Sequence, residues 1–207
     1  MSELGTLLLG YLFGSVPFGL LLVRFAGLGD VRAIGSGNIG TTNVLRTGRK
    51  DLAAATLVLD ALKGAVAVGL AALLFEGSAV HMALAGAGAF LGHCFPIWLK
   101  FQGGKGVATY LGTMLAFDWR IGIVAIVIWI VCAAVTRYSS LSALCASLVS
   151  PAILLAFGHF AFGLAAAMMT ALVFWRHREN IRRLRARTES KIGQKSGPAT
   201  QDAPRSV

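Results

Sequence analysis

Three short stretches of this chain combine the residue types that handle phosphate. Residues 35–46, GSGNIGTTNVLR, set Ser36, Asn38, Thr41, Thr42 and Asn43 among glycines and end on Arg46. Residues 101–109, FQGGKGVAT, place Lys105 between Gly103, Gly104 and Gly106, and residues 177–180, HREN, carry His177 and Asn180. Glycines let backbone N–H groups converge on an anion, and hydroxyls and amides add neutral donors. An ammonium at the entry to a helix stands beside the positive end of its dipole. Each stretch alone fits an ordinary turn or a close helix contact. Together they fit one anion-handling task.

Other chemistries fit the same letters less well. Leu99 occupies the first-glycine position of a Walker A loop and Gly106, not Ser or Thr, follows Lys105, which argues against an ATPase. His81, His93, His159 and His177 never recur at the i, i+4 spacing of a helical metal site, so no metal and no other cofactor is expected. His93 and Cys94 are adjacent, and neighbours on a helix point about 100° apart, too far for a nucleophile and its base. Cys94, Cys132 and Cys145 lie singly in apolar segments, with neither disulfide nor metal-ligand spacing. No His is followed five positions later by Asp, the spacing of acyltransferases that use acyl thioesters.

The elements that must position these stretches are membrane helices. The chain is 56% hydrophobic and 14% charged, with mean hydropathy +0.72, outside the range of soluble domains. Apolar runs at Leu4 to Ala26, Leu52 to Phe75, Val80 to Trp98, Trp119 to Thr136, Tyr138 to Phe157 and His159 to Trp175 approach the roughly 20 residues of a span. The first has no basic region or small-residue cleavage site of a signal peptide and reads as a true span. Val107 to Phe117 is shorter, about 16 Å of helix against a core of about 30 Å. It is either a short fourth span or one arm of a re-entrant hairpin closed at Asp118-Trp119-Arg120. The expected fold is an all-α integral membrane protein of about seven helices.

Charge sets the orientation. Of the 19 Lys and Arg, sixteen fall in segments that alternation places on one face: Arg32, Arg46, Arg49 and Lys50; Lys100 and Lys105; Arg137; and the run from Arg176 to Arg205. The positive-inside rule makes that face cytoplasmic, with the N-terminus outside and the C-terminus inside. The same bias and attraction to membrane lipid account for the net charge of +10, so nucleic acid is not an expected partner. Residues 1–187 then form a single transmembrane domain, and 188–207 read as a disordered cytoplasmic tail. Asp60 and Lys63, three residues apart inside a span, read as a local ion pair, a brace for the loops or part of an ion pathway.

GSGNIGTTNVLR, LDALKG at 59–64, GHCFPIWLKFQGGKGVAT at 92–109 and RHRENIRRL at 176–184 resemble, in that order and spacing, the acyl-phosphate-dependent glycerol-3-phosphate acyltransferases of bacteria, the PlsY family. The resemblance implies a seven-helix inner-membrane enzyme with its site at the cytoplasmic side. Such an enzyme moves a fatty acyl group from acyl phosphate to the 1-hydroxyl of sn-glycerol 3-phosphate, the first acylation of phospholipid synthesis. It implies Ser36 and Lys105 near the acyl phosphate, with Asn38 and the backbone of Gly103, Gly104 and Gly106 in support. Arg46, His177 and Asn180 would hold glycerol 3-phosphate, and Thr41, Thr42 and Asn43 complete the expected substrate-contacting set. The family pattern has a substrate phosphate accept the hydroxyl proton. His177, Glu179 and a Ser36 nucleophile are the alternatives on chemical grounds. Partners are the two substrates, membrane lipid and an enzyme that supplies acyl phosphate. A membrane transporter of an anion or phosphate ester is the competing reading, with Asp60 and Lys63 in its favour; the polar density on one face and the lack of a repeat weigh against it.

Overall fold

The computed structural model describes residues 2–194, and all regular structure among them is helical. In chain order the helices are α1 (Glu3–Gly14), α2 (Phe18–Phe25), α3 (Thr41–Val44), α4 (Lys50–Leu74), α5 (Ala79–Cys94), α6 (Val107–Phe117), α7 (Trp119–Thr136), α8 (Ser139–Ala156), α9 (Phe160–Arg176) and α10 (Arg178–Arg185). The stretches Glu3–Phe25, Lys50–Leu74, Ala79–Leu99, Trp119–Thr136 and Ser139–Ala156 are each long and apolar enough to cross a bilayer; α9, of 17 residues, meets that length only together with α10, from which it is bent by 58°. The first apolar run, read as one span, is two helices. Pro17 has no N–H to continue the ladder, and Val16 O accepts instead from Phe18 N at 3.1 Å and Lys63 Nζ at 3.0 Å.

Small residues set the packing, because in lipid close backbone approach replaces the hydrophobic effect as the source of helix attraction. A Cβ at Gly10 or Gly14 would run into the backbone of Ala85 or Ala89, and one at Gly88 or Gly92 into the backbone of Leu7 or Tyr11, so α1 and α5 cross nearly in contact. Gly112 on α6 sits in the same way against Ala61 on α4. Pro151 interrupts α8 and leaves Ser147 O without its helical donor. Tyr110 Oη on α6, at 3.1 Å, and Thr170 Oγ1 on α9, at 2.8 Å, donate to that carbonyl. One proline thereby ties three helices together through a hydrogen bond that lipid cannot supply.

Contacts between helix ends show that α6 runs the depth of its neighbours. Its N-terminal side meets the C-terminal end of α9, where Arg176 donates to Gly104 O at 3.0 Å. Its C-terminal Asp118 lies 3.4 Å from His159 at the start of α9. An 11-residue helix manages this because residues 103–106 tuck beneath the end of α5 and begin α6 inside the protein. The polar loops therefore collect at one end of the bundle, and Asp118, Arg120, His159 and the Phe75–His81 stack mark the other.

Candidate active site

The first polar stretch is held by one amide. Asn43, 2% exposed, donates through Nδ2 to Val31 O at 2.7 Å, Asn38 O at 2.8 Å and Ile34 O at 3.1 Å. Its Oδ1 accepts from Ser36 N at 3.0 Å and Arg46 Nη1 at 3.3 Å. Gly35 and Gly37, at φ 53° and 68°, let the chain wrap around it. Asn43, expected to contact substrate, thus spends its amide inside the loop and shapes it from within. Asn38 Oδ1 accepts from Gly40 N at 2.9 Å, and the Thr42 hydroxyl lies 3.1 Å from Ser139 Oγ at the start of α8. Thr41 Oγ1 is buried without a partner among the described residues. The Ser36 side chain stays exposed, tied to Asn43 only by a long 3.4 Å contact.

The second stretch corrects a sequence expectation. Gly103 N and Gly104 N do not point at an open anion site; they donate to Cys94 O at 3.2 Å and His93 O at 3.0 Å, closing the exposed end of α5. The glycines are demanded by contact, since a Cβ at Gly103 would meet His93 O and Pro96, and one at Gly104 the His93 imidazole. Their carbonyls face the other way and accept from Arg176 Nη2 at 2.6 Å and Nε at 3.0 Å. Gly106, at φ 80°, turns the chain into α6, whose first-turn N–H groups have no intrahelical acceptor and no side-chain cap.

Lys105 lies where the second and third stretches meet. Its ammonium donates to Asn180 Oδ1, and Asn180 Nδ2 donates to Glu189 Oε1. Glu189 also accepts from Ser140 Oγ at 2.7 Å and Arg183 Nε at 2.7 Å. Arg46 joins the cluster through Ser190 Oγ at 2.9 Å. Residues 188–194, expected to be part of a disordered tail, therefore dock against the bundle, with Ile192 N donating to Arg137 O at 2.7 Å; the remainder of that expected tail lies outside the described residues.

The electrostatics follow from this crowding. Burial, then the charges of Arg183, Arg176 and Arg46, bring the Lys105 ammonium down to about 8, with Glu189 opposing them. Burial tends to raise the Glu189 carboxyl, but bonds from Asn180, Ser140 and Arg183 outweigh it and hold the group below the usual range. His177, at the bend between α9 and α10, is brought down to about 4 by burial and by Lys105, so its imidazole is neutral near pH 7. Nδ1–H donates to Val173 O at 2.8 Å, which leaves Nε2 as the unprotonated nitrogen. Glu179 faces outward and pairs with Arg182 at 2.6 Å.

The structure thus brings Lys105, Asn180, His177 and Arg46 to one end of the bundle, with Ser36 attached through Asn43. Sequence reading missed Arg176, Arg183, Ser140, Glu189 and Ser190. The arginines were submerged in a run that reads as lipid-facing charge. Glu189 had a faint signal, as the sole acid between Glu179 and Asp202 in a basic stretch.

Comparison with known proteins gives one answer throughout. The family described as Glycerol-3-phosphate acyltransferase matches residues 4–187. A protein of that name from Rhodopseudomonas palustris (strain HaA2) is 59% identical over 192 residues, 93% of this chain and 96% of its own. One from Brucella canis (strain ATCC 23365 / NCTC 10854 / RM-666) is also 59% identical, over 93% of this chain and 94% of its own. The crystal structure of PlsY (YgiH), an integral membrane glycerol 3-phosphate acyltransferase, in its glycerol 3-phosphate form superposes with a TM-score of 0.87 at 34% identity, covering 93% of this chain and 96% of that one. Its lysophosphatidic acid form gives 0.86 at 32% identity with the same coverage.

Proposed function

Because the chain belongs to the glycerol-3-phosphate acyltransferase family and is an integral membrane acyltransferase, we propose that it uses acyl phosphate as donor. The acceptor is the 1-hydroxyl of sn-glycerol 3-phosphate, and the site opens to the cytoplasmic side of a bacterial inner membrane. The hydroxyl oxygen attacks the acyl carbonyl carbon, the bond from that carbon to the phosphate oxygen breaks, and 1-acylglycerol 3-phosphate and phosphate result. A mixed anhydride is already activated, so positioning and charge neutralisation carry the rate and no acyl-enzyme is needed.

The observation that carries this reading is the Lys105–Asn180–Glu189 chain, with Arg46 attached beside it through Ser190. It gathers cations and amides for two phosphates at the rim of an apolar bundle, where an acyl chain can lie between helices. Lys105 and the open N-terminus of α6 suit the leaving phosphate, with Ser36 and Asn38 facing it from the first loop. Arg46 and Asn180 suit glycerol 3-phosphate. The hydroxyl proton passes to a phosphate oxygen: a phosphate monoester has its second pKa near 6, whereas an imidazole held at about 4 is the weaker base. His177 then lines the acceptor side of the site without taking the proton.

The donor choice rests on leaving-group chemistry. A cation and helix-start N–H groups stabilise departing phosphate, with its larger charge and several strong acceptor oxygens, more than a departing thiolate, whose sulfur is a weak acceptor. The test is an assay of purified protein in lipid with palmitoyl phosphate or palmitoyl-CoA at equal concentration and labelled glycerol 3-phosphate. Product from palmitoyl phosphate alone is the expected result. Comparable rates with both donors defeat the leaving-group argument, and glycerol 3-phosphate flux without product defeats the reading.

A further inference from the structure

Asp60, Lys63 and His93 form a buried polar cluster that the proposed chemistry does not use. All three are at least 95% buried, on α4 and α5. Lys63 Nζ is 2.9 Å from Asp60 Oδ1, and His93 Nδ1 is 3.6 Å from the same oxygen. A charge pair is costly at this depth, and a cluster that served only to hold α4 to α5 could be replaced by apolar side chains at no loss. Lys63 and His93, however, each also reach outward to a place where the chain stops being helical.

Lys63 reaches the first such place. Its ammonium donates at 3.0 Å to Val16 O, at the break between α1 and α2, and lies 5.9 Å above the Phe18 ring. From that break α2 leads into the loop that carries Ser36 and Arg46. His93 reaches the second. Its Nε2 edge lies against Gly104 so closely that a Cβ there has no room, while its backbone carbonyl accepts from Gly104 N at 3.0 Å. Gly104 adjoins Lys105, and its own carbonyl receives Arg176, which precedes His177.

We propose that Asp60, Lys63 and His93 are a positioning network for the acyltransferase site. Asp60 is the shared anion: it pairs with Lys63, which pins the entry to the first catalytic loop, and it lies 3.6 Å from His93, which is the floor beneath the Gly103–Lys105 turn. The network sets the spacing between Ser36 and Arg46 on one side and Lys105 and Arg176 on the other. None of its members touches substrate. It extends the functional reading above and depends on it, and it assigns Asp60 and Lys63 to loop positioning rather than to an ion pathway.

Misplacing Lys105 costs most where charge develops, so the effect falls on kcat and spares KM. His93→Ala is expected to lower kcat ten-fold or more, leave KM for glycerol 3-phosphate within about two-fold, and leave the detergent-solubilised unfolding temperature within a few degrees. His93→Gln, whose amide reaches toward the Nε2 position, is expected to recover part of kcat. The contact itself is tested by a cycle. Gly104→Ala alone drives a methyl into the imidazole, whereas His93→Ala makes room for it, so the double variant is expected to be no slower than the slower single variant. The paired change Asp60→Asn with Lys63→Met removes both charges together, leaves no buried ion alone, and is expected to lower kcat in folded protein. Full kcat in folded His93→Ala, or multiplicative losses in the double variant, overturn the network; so does loss of kcat in step with loss of folded protein in all variants. Wild-type turnover in the same assay separates the two questions: its absence overturns the functional reading, and its presence beside unaffected variants overturns only the network.

Discussion

The charge state of Lys105 makes a quantitative demand on the pH profile. The proposed role needs an ammonium, and burial with Arg183, Arg176 and Arg46 nearby brings that group to about 8 instead of the usual 10.5. With a pKa near 8, about nine-tenths of the enzyme is cationic at pH 7, half at pH 8 and roughly one-tenth at pH 9. The sign is a loss of activity as pH rises. The profile of kcat/KM reports the free enzyme, so its alkaline limb should bend near pH 8 and fall about ten-fold per unit above it. Bound phosphate groups favour the charged form, so the limb in kcat should lie at higher pH than the limb in kcat/KM. Lys105→Arg provides the control: a guanidinium stays charged above pH 12, so whatever activity survives should lose its alkaline limb. The assay is release of labelled 1-acylglycerol 3-phosphate from pH 6 to 10, with acyl phosphate stability checked at each point. An alkaline limb at the same pH in Lys105→Arg and wild type refutes the assignment to Lys105.

Lys105→Met should cost about 10²- to 10³-fold in kcat, the usual loss for one donor aimed at developing negative charge; near-normal turnover in folded protein removes Lys105 from the site. Arg46→Lys replaces a two-pronged donor with a point charge and should mainly raise KM for glycerol 3-phosphate, read from initial rates at varied acceptor. Glu189→Gln cannot accept from Ser140, Asn180 and Arg183 at once, and one buried donor left unpaired costs about 1–3 kcal/mol, so a fall of several degrees in unfolding temperature is expected. For orientation, cysteines at Thr47 and Gly193 should react with an impermeant reagent only from the cytoplasmic side and one at Ser2 only from outside, which labelling of all three from one side would contradict.

The bundle was largely legible in the sequence because its signal is additive. Six apolar runs and an 11-residue remnant each point the same way, and the helices follow those runs to within a few residues. The break at Pro17 and the early end of α5 at Cys94 were not legible, since apolar composition continues through both while the hydrogen-bond ladder does not. The site was legible as a set of residue types and illegible as geometry. Gly103 and Gly104 looked like donors to an anion and are contact points for His93 and Pro96, because a glycine supplies an N–H and an absence of bulk in the same letter. Asn43 looked like a ligand and is the internal frame of its loop. Glu189 lay in a stretch whose composition reads as disordered, and only the structure brings its carboxylate to Asn180 and Arg183.

That carboxylate resolves a difficulty inherent in a site for two phosphates. Lys105 has Arg183, Arg176 and Arg46 as charged neighbours, and without substrate their mutual repulsion would favour release of the lysine proton or opening of the loops. Arg176 is neutralised in part by the carbonyls of Gly103 and Gly104, but carbonyls carry no net charge. Glu189 acts on Lys105 in the direction that keeps the ammonium charged, against the three arginines. Between the two lies Asn180, which presents its oxygen to Lys105 and its amide hydrogens to Glu189. The orientation of that amide is therefore fixed by charges on both sides: turned over, Asn180 would set hydrogens against an ammonium and an oxygen against a carboxylate. A neutral side chain expected to contact glycerol 3-phosphate is held in one orientation before substrate arrives, and the ordering cost of that contact falls on folding rather than on the reaction.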